Sequence, residues 1–357
     1  MLRARSGGRA VARIGINGFG RIGRLATRVL ADSRALCEGR HELVRINEIG
    51  GDAFACAQAL VFDSVHRRWG EDRVAAQDAV TMTLQFGSNG SSASQISCSR
   101  NADIDTTDWS DCDVVIEATG RFRKPEQLEA YFAHGVRRVV VAAPVKGEGV
   151  LNVVVGVNHD RFDPATHRIV TAASCTTNCL APLVAVLHPR LGIEHGTILT
   201  VHDMTNTQAN VDIVDQNFRR ARAAGLNLSP TTTGSAKAIS EIFPELSGRL
   251  NGLAVRVPLL NASITDFTFQ AGRETSVEEV NAALEAASRE GPLAGLLGFE
   301  TRELVSTDFQ TDPRSSIVDA QSTMVVDGLM VKVLAWYDNE WGYANRLAEL
   351  VLQVVEA

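Results

Sequence analysis

The sequence predicts an α/β protein of two domains, a doubly wound parallel sheet followed by an α/β domain whose sheet is mostly antiparallel. Three observations support this prediction. Strands and helices alternate through the first half of the chain, long strands dominate after residue 174, and 357 residues are too many for one ordinary core. We therefore expect a basic tail over residues 1–12, a first domain over 13–173 and a second domain over 174–339.

Composition and charge exclude several classes of protein. Apolar residues make up 45% and charged residues 22% of the chain, which is typical of a globular fold. The net charge of −7 argues against a nucleic-acid surface. The sequence contains no run of 18 apolar residues, so we expect no segment that spans a membrane. The six cysteines form no CxxC pair and are too sparse for a disulfide scaffold, so we expect a cytoplasmic enzyme in a reducing compartment.

The first residues of the chain are rich in arginine. Arg3, Arg5, Arg9 and Arg13 precede the first acidic residue, Asp32, and this bias resembles the start of an organelle transit peptide. The basic stretch is short, however, and no amphipathic segment of useful length precedes the strand that begins at Arg13. We therefore interpret residues 1–12 as a basic tail.

The first elements of the chain are predicted to be a strand, a glycine turn and a helix. Residues 13–17 form a short buried strand, and the segment GFGRIG over 18–23 opens an apolar helical pattern. A second strand, HELVRIN, ends at Asn47 and is followed by Glu48, 25 residues beyond the last glycine of the turn. This order predicts a βαβ unit.

The glycine motif predicts a dinucleotide-binding turn. Gly18 permits the tight turn, Gly20 lets backbone N–H groups approach a pyrophosphate at the helix N-terminus, and Gly23 lets the helix pack on the sheet. An isolated GxGxxG is weak evidence, but here it follows a strand and opens a helix. Glu48 would accept hydrogen bonds from the ribose hydroxyls and repel a 2′-phosphate, which favours NAD over NADP. The alternative for Glu48 is a solvated carboxylate at a strand end.

The remaining segments support the two-domain prediction. Four more strands of the parallel type are predicted to start at Asp113, Arg137, Leu151 and His167, with a helix over 125–133 between the first two. After residue 174 the predicted strands are longer and suit an antiparallel or mixed sheet, at 196–204, 252–270 and 322–338. Helices are predicted at 276–288 and from about 342 to 355.

The segment ASCTTNC contains a cysteine that could be a nucleophile, a metal ligand or a core residue. Cys175 ends a strand and begins an apolar helical run, and a helix N-terminus stabilises a thiolate. A metal site is disfavoured because Cys175 and Cys179 lack a second ligand pair, so we assign Cys179 to the core and expect no metal. His202 follows 27 residues after Cys175 and is a candidate base, although spacing alone does not separate it from a structural histidine.

Motifs spread along the chain resemble those of a known family. The segments GINGFGRIGR, ASCTTNCLAP, TVHDMTNTQ, TTTGSAKA, AVRVP and WYDNEWGYANR are similar to those of phosphorylating glyceraldehyde-3-phosphate dehydrogenases, in the same order and over essentially the whole chain after residue 12. The resemblance implies a Rossmann domain completed by a C-terminal helix at 340–357, an α/β catalytic domain and a homotetramer. It also implies NAD as cofactor, with glyceraldehyde 3-phosphate and inorganic phosphate as substrates.

The resemblance also implies roles for individual residues. Cys175 corresponds to the nucleophile that adds to the aldehyde, and His202 to the base that takes the hydroxyl proton before hydride leaves for NAD. Thr205 and Arg256 match the site for the substrate's own phosphate. The site for the attacking phosphate is matched by Ser174, Thr176, Thr233 and Gly234. Cofactor positions are matched by Gly18, Phe19, Gly20, Arg21, Ile22, Gly23, Glu48, Arg100 and Thr119, with Asn339 at the nicotinamide carboxamide.

Departures from the family pattern leave alternatives open. Ala172 stands where glycolytic enzymes usually have asparagine, and Val214 stands where NAD-specific bacterial enzymes usually have proline, so these positions leave the strictness of NAD over NADP open. The segment INE that ends in Glu48 is shared with erythrose-4-phosphate dehydrogenases, although the Thr233–Gly234 pair opposes that alternative. A third alternative is a binding protein that keeps the fold without turnover.

Another set of segments resembles one branch of the family. The segments FDSVHRRW, AAPVK, AASCTTN, TNTQ and TDPRSS are most similar to the branch associated with arsenic resistance. In that branch arsenate replaces phosphate as the acyl acceptor, and an exporter removes the product. Because phosphate and arsenate have the same charge and tetrahedral shape, the residues alone do not separate the two acceptors.

Overall fold

The structure is a computed structural model that describes residues 11–88, 90 and 92–357. Residues 1–10, which include Arg3, Arg5 and Arg9 of the predicted tail, lie outside the described residues. The chain divides into two compact units. The first unit comprises the residues up to Val155, Arg161–Ala173 and Ala344–Ala357, and the second comprises Gly156–Asp160 and Ser174–Tyr343.

The first unit is built on a nine-stranded sheet. Its strands are β1 (Ala12–Asn17), β2 (His41–Asn47), β3 (Val74–Asp78), β4 (Thr81–Phe86), β5 (Ser92–Ser99), β6 (Val114–Glu117), β7 (Arg138–Val141), β8 (Val150–Asn152) and β9 (Ile169–Thr171). They are arranged in the order β3-β4-β5-β2-β1-β6-β7-β9-β8. From β5 onward all neighbours pair in parallel, which confirms the predicted doubly wound sheet. The antiparallel edge of β3, β4 and β5 was not predicted from the sequence.

Strand β1 lies where the strand order reverses. Strand β2 pairs with one edge of β1 and β6 pairs with the other, both in parallel. In open parallel sheets, ligands bind beyond the carboxyl ends of the strands at such a switch point. The glycine turn over residues 18–23 follows β1 directly and therefore lies at this point of the first unit.

The second unit contains a seven-stranded sheet. Its strands are β10 (Ile193–His202), β11 (Ser229–Thr232), β12 (Leu250–Arg256), β13 (Ser263–Ala271), β14 (Leu297–Glu300), β15 (Ser316–Val326) and β16 (Met330–Tyr337), in the order β11-β12-β10-β13-β16-β15-β14. Only the pairs β10–β12 and β14–β15 are parallel among the described strands, so the prediction of a mostly antiparallel sheet is confirmed.

Two of the long strands predicted for the second unit are interrupted. The segment predicted as one strand over 252–270 contains the end of β12, at Arg256, and most of β13, which begins at Ser263. These two strands lie on opposite sides of β10. The segment predicted over 322–338 is a hairpin of β15 and β16. Its turn contains Asp327 with φ 52° and Gly328 with φ 67°, the left-handed pair that a tight hairpin turn requires.

The helices of the described residues cover these sheets. In chain order they are α1 (Arg21–Ala31), α2 (Arg34–Cys37), α3 (Ala53–Val61), α4 (Pro125–Ala133), α5 (Cys175–Leu191), α6 (Ser235–Ile242), α7 (Val277–Arg289) and α8 (Trp341–Glu356). Helix α5 packs on β13, β15 and β16, and its apolar side chains are almost all buried. This packing fixes the position of the first residue of α5, Cys175.

The C-terminal part of α8 belongs to the first unit. Arg40 Nη1 donates to the Glu356 carboxylate at 2.6 Å, and Arg138 Nη1 donates to the backbone oxygen of Val354 at 3.3 Å. Inside the same unit, the buried Arg28 of α1 donates to the backbone oxygens of Leu60 and His66. The described residues include no helix of the length and apolarity that a membrane crossing requires.

Candidate active site

Cys175 is the first residue of helix α5. The backbone leaves β9 and passes through Ala173 in the left-handed region, at φ 50°, before the helix begins. Ser174 is the N-cap, and its hydroxyl oxygen accepts a hydrogen bond from the N–H of Thr177 at 3.2 Å. The N–H groups of Cys175 and Thr176 precede the first intrahelical hydrogen bond, so they add positive potential beside the thiol.

The imidazole of His202 lies next to the Cys175 thiol. His202 is the last residue of β10, and its Nε2 is 3.6 Å from Sγ of Cys175. The parallel pairing of β10 with β12 places Arg256 opposite His202. Nη1 of Arg256 contacts Nδ1 of His202 and donates to the backbone oxygen of Asp203 at 2.9 Å. The imidazole of His202 thus contacts the thiol of Cys175 through one ring nitrogen and the guanidinium of Arg256 through the other.

A buried polar network lies behind His202. Asp203 is fully buried, and its Oδ1 is 2.6 Å from Nδ1 of His202. Its other carboxylate oxygen accepts a hydrogen bond from Nδ2 of Asn339 at 2.9 Å. Oδ1 of Asn339 in turn accepts from the hydroxyl of Ser263 at 2.9 Å, and that hydroxyl accepts from the N–H of Asp203 at 3.2 Å. The network closes on itself and fixes the amide of Asn339.

These contacts move the protonation equilibria of the pair. Burial and, to a smaller extent, the charge of Asp203 act to raise the pKa of the Cys175 thiol, but the hydrogen bond to His202 and the charges of His202 and Arg256 outweigh them, so the pKa lies below the ordinary thiol value. Burial acts to lower the pKa of the His202 imidazole, but Asp203 and Cys175 raise it to about 9. The arrangement favours a thiolate and an imidazolium at neutral pH.

The other cysteine of the motif lies in the core. Cys179 is completely buried, and its Sγ contacts the hydroxyl of Ser316 and the backbone oxygen of Ala335. Burial raises the pKa of this thiol to about 12. All six cysteines are free, and the described residues contain no cluster of three potential metal ligands.

In the first unit, the three glycines of the turn have different surroundings. Gly18 has φ 88°, and a Cβ on it would lie 2.6 Å from the backbone nitrogen of Thr119. A Cβ on Gly23 would lie 2.2 Å from the backbone oxygen of Gly18, so the helix and the turn touch here. Gly20 is the N-cap of α1, and its Cβ position has open space within 4 Å. An anionic group can therefore approach the N-terminus of α1 closely.

The remaining cofactor candidates of the first unit surround this turn. Glu48 accepts hydrogen bonds from the N–H of Phe19 at 2.6 Å and of Gly50 at 2.8 Å. Arg100 is exposed and follows β5, the parallel neighbour of β2, on the side of Glu48. Thr119 is held by the buried carboxylate of Glu117. Of the two helix residues, Arg21 pairs with Asp63 and Ile22 is partly exposed.

The predicted anion-binding residues are distributed over three places in the second unit. Thr205 follows β10, and its hydroxyl contacts that of Thr207 at 2.9 Å. Thr233 and Gly234 lie between the end of β11 and the start of α6. Arg256 pairs with the first residue of β11, so it lies at the opposite end of that strand. Beside Cys175, the Ser174 hydroxyl caps α5 and the Thr176 hydroxyl lies 3.0 Å from that of Tyr337. These last two hydroxyls already have partners within the protein.

Two residues of the network were not selected from the sequence. Ser263 gave no signal, because its partners Asp203 and Asn339 are distant along the chain. Asp203 follows His202 directly in the segment TVHDM, and an acidic residue adjacent to the candidate base is a sequence signal for a partner of that histidine.

This chain has a glycine turn at a switch point and a Cys–His pair at a helix N-terminus. The two features together define a dehydrogenase that binds a dinucleotide and uses a cysteine nucleophile. Comparison with known proteins agrees. Residues 12–125 match the model of the glyceraldehyde 3-phosphate dehydrogenase NAD binding domain, and residues 174–339 match that of the C-terminal domain of the same family. The chain belongs to the glyceraldehyde-3-phosphate dehydrogenase family and is an NAD-dependent oxidoreductase that acts on an aldehyde.

Individual relatives are similar over nearly their whole length. The chain is 55% identical to glyceraldehyde-3-phosphate dehydrogenase 3 of Nostoc sp., with 96% of this chain and 98% of the relative covered. It is 44% identical to glyceraldehyde-3-phosphate dehydrogenase 1 of Bacillus cereus, covering 95% and 97%. It is 42% identical to the Geobacillus stearothermophilus enzyme, covering 96% and 98%. The predictions of an NAD cofactor and of an enzyme are confirmed.

Proposed function

We propose that this enzyme oxidises glyceraldehyde 3-phosphate, with Cys175 as nucleophile, His202 as acid–base group and an inorganic oxyanion as acyl acceptor. The observation that carries this proposal is the 3.6 Å contact between Sγ of Cys175 and Nε2 of His202 at the start of α5. The proposed substrate, glyceraldehyde 3-phosphate, is the one named in the relatives from Nostoc and Bacillus.

The reaction begins with the thiolate. Sγ of Cys175 adds to the aldehyde carbon, and the imidazolium of His202 gives its Nε2 proton to the oxygen, which forms a thiohemiacetal. His202, now neutral, takes the hydroxyl proton back as the carbon is oxidised to a thioester. A bound NAD would supply the hydride acceptor for this oxidation. The oxyanion then attacks the thioester carbon, an acyl phosphate leaves, and the Cys175 thiolate is regenerated.

The first unit suits a bound NAD. The open Cβ position of Gly20 and the N-terminus of α1 leave room and positive potential for a pyrophosphate. The carboxylate of Glu48 lies against the turn, where it can accept hydrogen bonds from ribose hydroxyls and repel a 2′-phosphate. We assign Phe19, Arg21, Ile22, Arg100 and Thr119 to the same site, and Asn339 of the second unit to the nicotinamide carboxamide.

Two anions need sites in the second unit. We assign the phosphate of the substrate to Thr205 and Arg256, because a guanidinium beside His202 is a strong partner for a phosphate. We assign the attacking oxyanion to Ser174, Thr176, Thr233 and Gly234. Since the hydroxyls of Ser174 and Thr176 have partners in the protein, the backbone N–H groups at the start of α5 are the better donors at that end of the site.

The acceptor is phosphate or arsenate, and we propose that arsenate is used in arsenic resistance. The support is the resemblance of the segments FDSVHRRW and TDPRSS to the branch associated with that role. The test is arsenate tolerance of cells that carry this gene, with and without an arsenical exporter, against the same cells carrying Cys175→Ala. Equal protection by Cys175→Ala would refute the arsenate role and leave the dehydrogenase proposal untouched.

We further propose that the enzyme is a cytoplasmic homotetramer. Exposed apolar side chains are concentrated between residues 211 and 228, at Val211, Ile213, Val214, Phe218, Leu226 and Leu228. A surface of this kind on a polar protein marks a contact with another chain. The free state of all six cysteines suits a reducing compartment. Light scattering of the purified protein should give the mass of four chains, and a monomer would refute the assembly.

The decisive experiment measures NADH formation by the purified enzyme. With glyceraldehyde 3-phosphate, NAD and phosphate, turnover should be rapid, and Cys175→Ser should abolish it. Erythrose 4-phosphate is the competing substrate, and a higher kcat/KM with it would replace the proposed aldehyde. If NAD binds but neither aldehyde is oxidised, the chain is a binding protein that keeps the fold.

A further inference from the structure

The carboxylate of Asp203 lies on the side of His202 that faces away from the thiol. Oδ1 of Asp203 is 2.6 Å from Nδ1 of His202, while Nε2 of the same ring is 3.6 Å from Sγ of Cys175. The backbone oxygen of Asp203 is also 2.9 Å from Nδ1. The imidazole is therefore held between a thiol and an acidic residue through its two nitrogens.

The Asp203 carboxylate is too deeply buried to be charged without compensation. Its side chain is 1% exposed, and a carboxylate removed from water is costly unless a cation or several donors face it. Asn339 donates one hydrogen bond to Oδ2, whereas Oδ1 has no aligned hydrogen bond within the described residues. Arg256 donates to the backbone oxygen of Asp203 and not to the carboxylate. The imidazolium of His202 is the positive charge in direct contact with Oδ1, and the guanidinium of Arg256, which contacts the same ring nitrogen, adds to it through charge.

Asn339 and Ser263 fix the direction of this carboxylate. A carboxylate only accepts hydrogen bonds, so the amide nitrogen of Asn339 must face Asp203 and its oxygen must face Ser263. The Ser263 hydroxyl also accepts from the N–H of Asp203. The carboxylate is thus anchored through Ser263 of β13 and through Asn339, two residues before α8, and it cannot turn away from His202 without breaking this network.

We propose that Asp203 is a positioning residue that keeps His202 protonated and its Nε2 directed at Cys175, so that the nucleophile is present as a thiolate at neutral pH. The proposal rests on the proposed function only in taking Cys175 as the nucleophile. Charge on Asp203 stabilises the pair of thiolate and imidazolium relative to the pair of thiol and neutral imidazole, because the carboxylate contacts the imidazole directly and the sulfur lies beyond the ring.

Other charged and titratable groups also face the pair. Cys175 approaches His202 from α5, Arg256 from β12, and the ring of Tyr337 from β16 at a centroid distance of 6.1 Å. Burial is the largest influence on the pKa of His202 and lowers it, so the rise to about 9 depends on Asp203 first and Cys175 second. Burial raises the pKa of Asp203 above its ordinary value and the charge of Glu340 acts in the same direction, whereas the contacts with His202 and Asn339 oppose this rise and favour the charged form.

The test measures the rate at which iodoacetamide alkylates Cys175 as a function of pH, without NAD or aldehyde. In the wild type the rate should already be close to its alkaline maximum at neutral pH, because the pKa of Cys175 lies below the ordinary thiol value. In Asp203→Asn, which keeps the size and the bond to Asn339, the rate at pH 7 should fall about tenfold, the equivalent of one pKa unit, and recover at alkaline pH. Asp266→Asn is the matched control, since it removes a carboxylate of the same unit that pairs with Lys332.

A second measurement does not depend on whether the Asp203 variant folds. In Cys175→Ser the thiolate is absent but Asp203 remains, so the imidazole of His202, followed by NMR, should still titrate above the ordinary histidine pKa of about 6.5. A value at or below the ordinary one, or an alkylation profile of folded Asp203→Asn that matches the wild type, would overturn the proposal. Failure of the proposed function is distinguishable, because it would abolish NADH formation and leave both profiles unchanged.

Discussion

The thiol sulfur of Cys175 lies 3.6 Å from Nε2 of His202, across the gap between the first residue of a buried helix and the last residue of a strand. The two side chains are held by elements that pack in one hydrophobic core, so the contact does not depend on a mobile loop. The helix N-terminus and the imidazolium act in the same direction on the sulfur, since both stabilise its negative charge.

We expect Cys175 to be the first cysteine alkylated at neutral pH. Its pKa lies below the ordinary thiol value, whereas burial raises the pKa of Cys56 to about 12 and of Cys98 to about 11. The thiolate of Cys175 is lost only when the pH falls through its lowered pKa. Peptide mass spectrometry during iodoacetamide treatment measures this, with the partly exposed Cys37 as internal comparison. Equal rates for all six cysteines would contradict the assignment.

Two glycines of the turn should respond differently to the same substitution. In Gly23→Ala the new Cβ would lie 2.2 Å from the backbone oxygen of Gly18, so the free energy of unfolding should fall by about 1–3 kcal/mol. Gly20→Ala meets open space at an ordinary φ of −69°, so stability should fall less, by about 0.5–1 kcal/mol, because alanine is a poorer N-cap than glycine. The added methyl group should nevertheless weaken NAD binding, because it occupies the approach to α1. Denaturation and NAD titration of both variants test the pair.

Glu48 should set the preference for NAD. Its carboxylate lies against the N–H of Phe19, and a 2′-phosphate placed there would meet a like charge. We expect a higher kcat/KM with NAD than with NADP, and a smaller ratio in Glu48→Gln, which keeps the shape but removes the charge. A kcat/KM with NADP equal to that with NAD in the wild type would refute this role, and Val214→Pro would then be the next variant to measure.

Arg256→Ala should raise the KM for the phosphorylated aldehyde strongly. Loss of a charge-assisted contact with phosphate costs about 1.5–3 kcal/mol, or roughly 10- to 150-fold in binding. The KM for the attacking phosphate should rise less, because other residues are assigned to that anion. Arg302→Ala is the control, since Arg302 belongs to an exposed ion pair with Glu300. An unchanged KM for the aldehyde would place its phosphate elsewhere.

The local order of elements could be predicted, whereas contacts between distant segments could not. The strand, glycine turn and helix at the start are adjacent in sequence, and each has its own residue signal. The break between β12 and β13 was missed because the apolar pattern continues through Leu259 and Leu260, which are partly or largely exposed. The hairpin turn was missed although Asp327–Gly328 is a strong turn signal between apolar runs.

The same distinction holds for the candidate site. Cys175 and its helix could be located from one continuous segment, because the strand, the cap and the apolar run follow one another. The bond between Asp203 and Asn339 joins residues 136 positions apart, and the partner of Thr176, Tyr337, is 161 positions away. Such contacts depend on how strands are ordered in the sheet, and a single sequence does not contain that order.

The nucleotide-binding unit takes its last helix from the end of the chain. The nine strands described for this unit are synthesised before the second unit is finished, whereas Glu356 and Val354, the partners of Arg40 and Arg138, are synthesised after it. The first unit to be synthesised is therefore the last to be completed. A chain released early, by a premature stop or by cleavage before residue 344, lacks the C-terminal part of α8, so its nucleotide-binding unit loses the contacts that Arg40 and Arg138 make with this helix.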